Sequence, residues 1–245
     1  MSDKTLPLVT IITVVFNNVK TLEQTILSVV NQSYSNIEYI IIDGGSTDGS
    51  VEIIKKYEKF LSYWVSEKDD GLYFAMNKAI QKSTGELISI LNSDDWYEEN
   101  TLEIVIQHYL SSPQTDVFHG LLRFIDINDN PELISGHYDC FLATGMIEHP
   151  TCFIRAEIYK KIGVFDTQYQ SAADYDWMQR VKNSGAVFRL IPSVFCNFRR
   201  GGISDSLLGA LEEIKIRKKY GYLKFSSYWY ARIYIFILGI ISGRK

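Results

Sequence analysis

Cysteine is scarce in this 245-residue chain: Cys140, Cys152 and Cys196 are the only three. They are odd in number, widely spaced and form no CxxC pair. That excludes a disulfide framework and a cysteine-based zinc site, and reads as reduced thiols. Net positive charge is also missing. The formal balance is -4, which argues against a general nucleic-acid binder. No GxGxxG follows the first strand-like run, and no GxxxxGK[ST] loop occurs. A pyrophosphate would therefore not be held by a glycine loop at a helix start. The apolar run Ile233–Ile241 falls well short of the roughly 20 residues a spanning helix needs. From Lys4 the chain runs straight into the β-branched stretch Leu8–Val15 without a small-residue cleavage site, so no signal peptide is expected.

What is present suits a folded domain. Hydrophobic residues make up 46% and charged residues 22%, ordinary values for a globular protein, and the length allows one large α/β domain. The average charge hides an asymmetry. From Leu207 to Lys245 eight basic residues stand against Glu212 and Glu213, so the tail carries +6 and residues 1–206 carry -10.

The first hundred residues alternate strand and helix. Val9–Phe16 is a near-continuous β-branched run of the kind a parallel sheet buries on both faces. Thr21-Leu22-Glu23-Gln24 has the form of a capping box, opening a helix with Leu22, Ile26, Val29 and Val30 on one side. Strands are expected at Ile37–Ile42, around Tyr63–Val65 and at Leu87–Leu91. Helices are expected through Val51–Leu61 and Ala75–Ile80, the latter stopped by Gly85. Beyond Asp95 the rhythm loosens. Helices are expected over about 99–110, Arg155–Ile162 and Asp174–Ser184, with strands over Asp116–Ile127, at Cys152–Ile154 and near Val187–Ile191. A mainly parallel sheet follows from the alternation. The domain reading is a catalytic domain over 1–206, split into a nucleotide half (about 1–112) and an acceptor half (about 113–206), followed by a basic, aromatic helical tail over 207–245.

Each early strand ends in a polar or acidic group: Asn17 and Asn18, Asp43, Asp69, then Asp94 and Asp95. In an open α/β sheet such ends lie along one edge and form a crevice where ligands collect. The clearest case is Leu87-Ile88-Ser89-Ile90-Leu91-Asn92-Ser93-Asp94-Asp95. Two adjacent carboxylates at the rim of a buried sheet need a counter-charge. A hard divalent cation that brings phosphates with it is the natural one. Taken alone, an acidic turn after a strand explains this stretch equally well.

Four ordered motifs make the chain resemble family 2 glycosyltransferases, inverting enzymes of the GT-A fold that use nucleotide-diphosphate sugars. Thr10–Gln32 and Ile40–Ser50 are similar to the family's opening. Asn92-Ser93-Asp94-Asp95 is similar to its DxD-type motif, with Asn at the first position. Ser66–Lys78 is similar to the middle motif of a bacterial polysaccharide and O-antigen assembly branch, with Phe74 where many members carry Asp. Ala172–Trp177 stands where the family places an acidic, base-bearing motif, with Ala173 replacing its Glu. The resemblance implies an α/β GT-A fold: a Rossmann-like, mainly parallel sheet flanked by helices, with an elaborated acceptor-side second half.

The same resemblance implies roles. Phe16 would pack against the base, with an ordinary core aromatic as the alternative. Asp43 would hydrogen-bond the base or ribose, Asp69 would lie near the nucleotide, and Asp94 would contact the ribose or donor sugar. Asp95 would ligate Mn2+ or Mg2+ beneath the diphosphate, and Arg200, in the glycine-containing loop Arg199–Ser204, would face the phosphates. Asp174 aligns with the base that deprotonates the acceptor hydroxyl, with Asp176 as competitor and helix capping as the structural alternative. His149 falls on the acceptor side. The implied activity moves a hexosyl or N-acetylhexosaminyl group from a nucleotide-diphosphate sugar, with UDP expected, to a glycan or polyprenyl-diphosphate-linked acceptor in surface-polysaccharide synthesis. A sugar nucleotidyltransferase and a catalytically silent nucleotide-sugar binder remain as alternatives. The tail, with Tyr228-Trp229-Tyr230, Arg232 and Arg244-Lys245 around its apolar run, suits peripheral contact with an anionic membrane from the cytoplasmic side, or a helix folded back on the domain. No nucleic-acid partner is expected.

Overall fold

The computed structural model describes residues 6–126, 128–201 and 206–224. Nine strands form one sheet: β1 (Val9–Val15), β2 (Ile37–Asp43), β3 (Tyr63–Ser66), β4 (Leu87–Ile90), β5 (Trp96–Tyr97), β6 (Val117–Ile125), β7 (Pro131–Ser135), β8 (Phe153–Arg155) and β9 (Phe188–Arg199). Seven α-helices accompany them: α1 (Leu22–Val30), α2 (Ser50–Lys56), α3 (Leu72–Lys82), α4 (Thr101–Ser111), α5 (Ala156–Ile162), α6 (Ala173–Asn183) and α7 (Leu207–Lys219). The order across the sheet is β3-β2-β1-β4-β8-β6-β9-β5, with β7 paired to β6. β3, β2, β1 and β4 run parallel. β8 is antiparallel to both neighbours, so β6 and β9, parallel to each other, point the same way as the first four. The carboxyl ends of six strands therefore share one edge.

Alternation along β1 divides the core. Val9, Ile11 and Val15 join α1, α2 and α4 on one face. Ile12 and Val14 join α3, α5 and α6 on the other. All seven β1 side chains are buried, which is why this strand reads as an unbroken apolar run instead of an alternating one. Gly85 closes the turn into β4 because nothing larger fits. A Cβ there would stand 2.7 Å from the Thr10 backbone nitrogen, and backbone can yield to it only by moving the strand.

The structure refines the sequence reading at several points. Thr21 is the α1 N-cap but makes no side-chain cap. Its hydroxyl donates instead to Asn18 Oδ1 and the Ser93 carbonyl, because tertiary contact outcompetes the local box. The strand expected near Val187–Ile191 runs on to Arg199, since it finds β6 along its length. The polar stretch after β6 turns back as β7, an edge strand with Leu133 and Ile134 exposed. Of the proposed tail, 207–219 is helix α7, which packs on α6. The apolar and aromatic part, 225–245, lies outside the described residues. Among the described residues, no helix is long and apolar enough to cross a membrane.

Candidate active site

The loops that follow β1, β2 and β4 are stitched to one another at the shared edge. Asn17 adopts a left-handed backbone (φ 50°), a conformation Asn tolerates better than most residues. There its N–H donates to Ser46 Oγ (2.8 Å) and its Oδ1 accepts from Thr47 N–H (2.9 Å). Asn18 reaches Ser50 through its backbone (3.0 Å) and Ser93 through its side chain (2.9 Å). These bonds leave a cavity of about 830 Å³ above the edge, a size suited to a small organic ligand.

One end of the cavity is built by strand-end loops: Phe16 and Asn18, Gly44, Lys68 and Asp69, then Asn92, Ser93 and Asp94. Phe16 is 66% exposed, so the core-aromatic alternative is excluded. Asp69 pairs with Lys78 through one oxygen (2.6 Å), while its other, buried oxygen has no partner. Asp94 faces the cavity, and its carboxyl is pushed above the usual range by burial, which the Arg199 charge partly offsets.

The other end is irregular in the chain. Ser135, the last residue of β7, lines it with His137, Met146, Glu148 and His149 from the segment that follows, and Asp174 and Tyr175 from the first turn of α6. Asp174 is the second residue of α6, whose N-cap is Ala172, so the capping alternative is not realised. Tyr73 Oη, from α3, donates to Asp174 Oδ1 (2.9 Å). Half-buried His149 is held toward its neutral form, because burial lowers its pKa more than the Asp174 charge raises it. The helix carrying Asp174 is fixed by Trp177, fully buried, stacked on Tyr159 (4.3 Å) and donating to the Gly163 carbonyl (2.6 Å).

Four expected site residues sit off the cavity wall. Asp43 is fully buried at the end of β2. It accepts from Gly45 N–H (3.0 Å), Ser46 N–H (2.9 Å), Ser46 Oγ and Ser66 Oγ (2.6 Å). It shapes the loop and leaves Gly44 to face the cavity. Asp95 is also fully buried and lies behind Asp94. Its Oδ1 accepts from Arg199 N–H (3.1 Å), its Oδ2 has no partner, and burial with the adjacent Asp94 charge raises its pKa. Arg200 pairs with Glu132 (2.8 Å) and covers the Phe124 ring. Its neighbour Arg199 is the one that reaches the Asp94 carbonyl (2.7 Å) and lies over Trp96, since successive positions along an extended chain face opposite ways. Asp176 is a buried ion-pair centre, bound to Lys219 (2.6 Å) and Arg180 (3.2 Å), and not an acceptor-side group.

Tyr73, Glu148 and His137 escaped the sequence reading, as did Glu213, which α7 brings to the cavity. Only Tyr73 carried a signal, its place inside the 66–78 motif. The cavity can hold a ligand that meets both the exposed Phe16 ring and the Asp174 carboxylate. A divalent cation fits its first end. Asp94 is an anion on the wall, the buried Asp95 and Asn92 oxygens behind it lack partners, and a bound diphosphate would supply further oxygens. Among the described residues, no group of three or more His, Cys, Asp or Glu side chains could hold a metal unaided.

The glycosyl transferase family 2 model matches residues 10–178. A glycosyltransferase of Mycobacterium tuberculosis, described as uncharacterized, is 32% identical over 179 residues, which span 71% of this chain and 68% of that one. Among solved structures, S. aureus TarS 1–349 in complex with UDP-GlcNAc superposes with a TM-score of 0.70 at 18% identity, covering 86% of this chain and 65% of that one. The mannosyltransferase PcManGT from Pyrobaculum calidifontis, in complex with GDP-Man and Mn2+, superposes with a TM-score of 0.71 at 19% identity, covering 95% of this chain and 70% of that one. The fold is the GT-A arrangement.

Proposed function

The chain belongs to glycosyl transferase family 2, and from that premise we propose that it transfers a sugar, with inversion, from a UDP-sugar to a glycan or lipid-linked acceptor in bacterial surface-polysaccharide synthesis. One observation carries this reading. A single cavity joins an exposed aromatic and a metal-ready carboxylate at one end to an unblocked carboxylate, Asp174, at the other.

Phe16 stacks on the base. The loop shaped by Asp43 and the wall at Asp69 hold the nucleoside. Asp94, with Asp95 buried behind it, would hold Mn2+ or Mg2+. When bound, that cation supplies Lewis-acid stabilisation of charge on the departing diphosphate. Asp174, oriented by the Tyr73 hydroxyl, takes the proton from the acceptor hydroxyl. Neutral His149 stands beside it as a hydrogen-bonding group on the acceptor side. We extend the catalytic domain expected over 1–206 to include α7, which packs on α6 and lines the cavity, and place the acceptor at the cytoplasmic face of a membrane, with 225–245 as the contacting part of the tail. The basic, aromatic composition of 225–245 supports that contact.

The test is a calorimetric screen of UDP-, GDP- and dTDP-sugars with and without Mn2+. UDP-sugars should bind most tightly, and Mn2+ should tighten them in the wild type but not in Asp94→Ala. Equal tightening by Mn2+ in Asp94→Ala, with none in Asp95→Ala, returns the cation to Asp95. No response to any nucleotide sugar sinks the reading.

A further inference from the structure

Helix α7 follows the family-matched segment, which ends at residue 178, yet it completes the cavity through Gly209 and Glu213. Its attachment is specific. The Glu212 carboxylate, only 9% exposed, accepts N–H bonds from Gln170 (2.9 Å), Ser171 (2.8 Å) and Ala172 (3.0 Å). Those three residues lead directly into α6, two positions before Asp174. A charged acceptor that takes three successive backbone N–H bonds is a strong clamp, and it ties the placement of α7 to that of Asp174.

With Glu212 so anchored, the next residue, half-buried Glu213, faces the cavity beside Asp174. Burial and the Asp174 charge raise its pKa, and Arg217, one turn on, pulls it back. Glu148, 8% exposed, lines the same end, fixed by His137 N–H (3.1 Å), His137 Nδ1 (2.7 Å) and Ser135 Oγ (2.7 Å). Lys68, from the loop after β3, is the lysine on the cavity wall.

We propose that α7 sets acceptor choice: Glu213 accepts a hydrogen bond from a hydroxyl of a neutral sugar ring next to Asp174, and repels rings that bring a carboxylate or phosphate there, while Glu212 is a positioning residue that fixes the spacing of the two carboxylates. This rests on the glycosyltransfer reading. A hydroxyl donates to these carboxylates, whereas an anion adds like-charge repulsion in a partly desolvated space, and specificity arises from such repulsion as much as from attraction.

The experiment measures binding of octyl β-glucoside and octyl β-glucuronide to the full chain near neutral pH by saturation-transfer NMR, with and without UDP. The glucoside should bind about tenfold more tightly than the glucuronide. Glu213→Gln should shrink that gap about threefold or more. Glu212→Gln should weaken glucoside binding and narrow the gap, and Glu212→Asp should partly restore both. Equal binding of the two probes by wild type, binding of neither, or an unchanged gap in Glu213→Gln overturns the proposal. Refusal of UDP sinks the donor reading instead, and the probes alone still report on Glu213.

Discussion

The two ends of the cavity are held in place by different physics. At the donor end, polar groups are satisfied within strand-end loops and between neighbouring ones. Asp43 takes its partners from Gly45, Ser46 and Ser66, and Asp69 takes Lys78 one helix away. At the acceptor end the bonds span the chain. Tyr73 meets Asp174 across 101 positions, and Glu212 meets Ala172 across 40. The first end is built from the loops of adjacent parallel strands and tied to β9 by Arg199, whereas the second is brought together by helices docked on the sheet. Substrate preference should therefore be easier to alter at the acceptor end, where contacts come from elements that can shift without unravelling the sheet.

The largest expected effect that sharpens this contrast is on turnover alone. Asp174→Asn keeps the shape and the Tyr73 bond but cannot take a proton, so transfer should fall about 10²–10⁴-fold with UDP affinity unchanged. Steady-state kinetics beside calorimetry check this. Near-normal turnover in Asp174→Asn would break the assignment of chemistry to this end.

A smaller effect belongs to the donor end. Asp43→Ala strips partners from two backbone N–H groups and two hydroxyls, so stability should fall by about 2–3 kcal/mol and UDP affinity with it, measured by urea denaturation and calorimetry. Lost affinity without lost stability would mean that Asp43 touches the nucleotide directly and does not act through the loop.

The smallest effect is pH-dependent and sits in the acceptor half. His119 on β6 is fully buried with neither ring nitrogen bonded, and burial lowers its pKa to about 4. As pH falls, the unfolded chain takes up this proton near the ordinary value of 6.5, whereas the folded chain waits until about 4. Stability is thus intact above the unfolded value and lost on acidification between the two. Each pH unit costs about 1.4 kcal/mol, so about 2 kcal/mol is lost by about pH 5. His119→Leu should remove that share of the acid loss, read as a smaller drop in Tm between about pH 7 and pH 5. An equal drop in both proteins would show that other groups carry it.

The sequence by itself determined the parallel core and its ligand edge. β-branched runs ending in Asn17, Asp43, Asp69 and Asp94 can bury both faces only in a parallel sheet, and that sheet aligns their ends. It also brought Phe16 and Asp174 to notice, because both lie in ordered motifs. Choices among neighbours were beyond it. Whether Asp94 or Asp95, Arg199 or Arg200, Asp174 or Asp176 faces the cavity depends on which side of a strand or helix each occupies, and adjacent letters of one charge look alike until the backbone direction is known. Nor could any local pattern connect Glu212 and Glu213 with Asp174. Their meeting is decided by how α7 docks on α6, through long-range contacts whose register exists only in the folded chain.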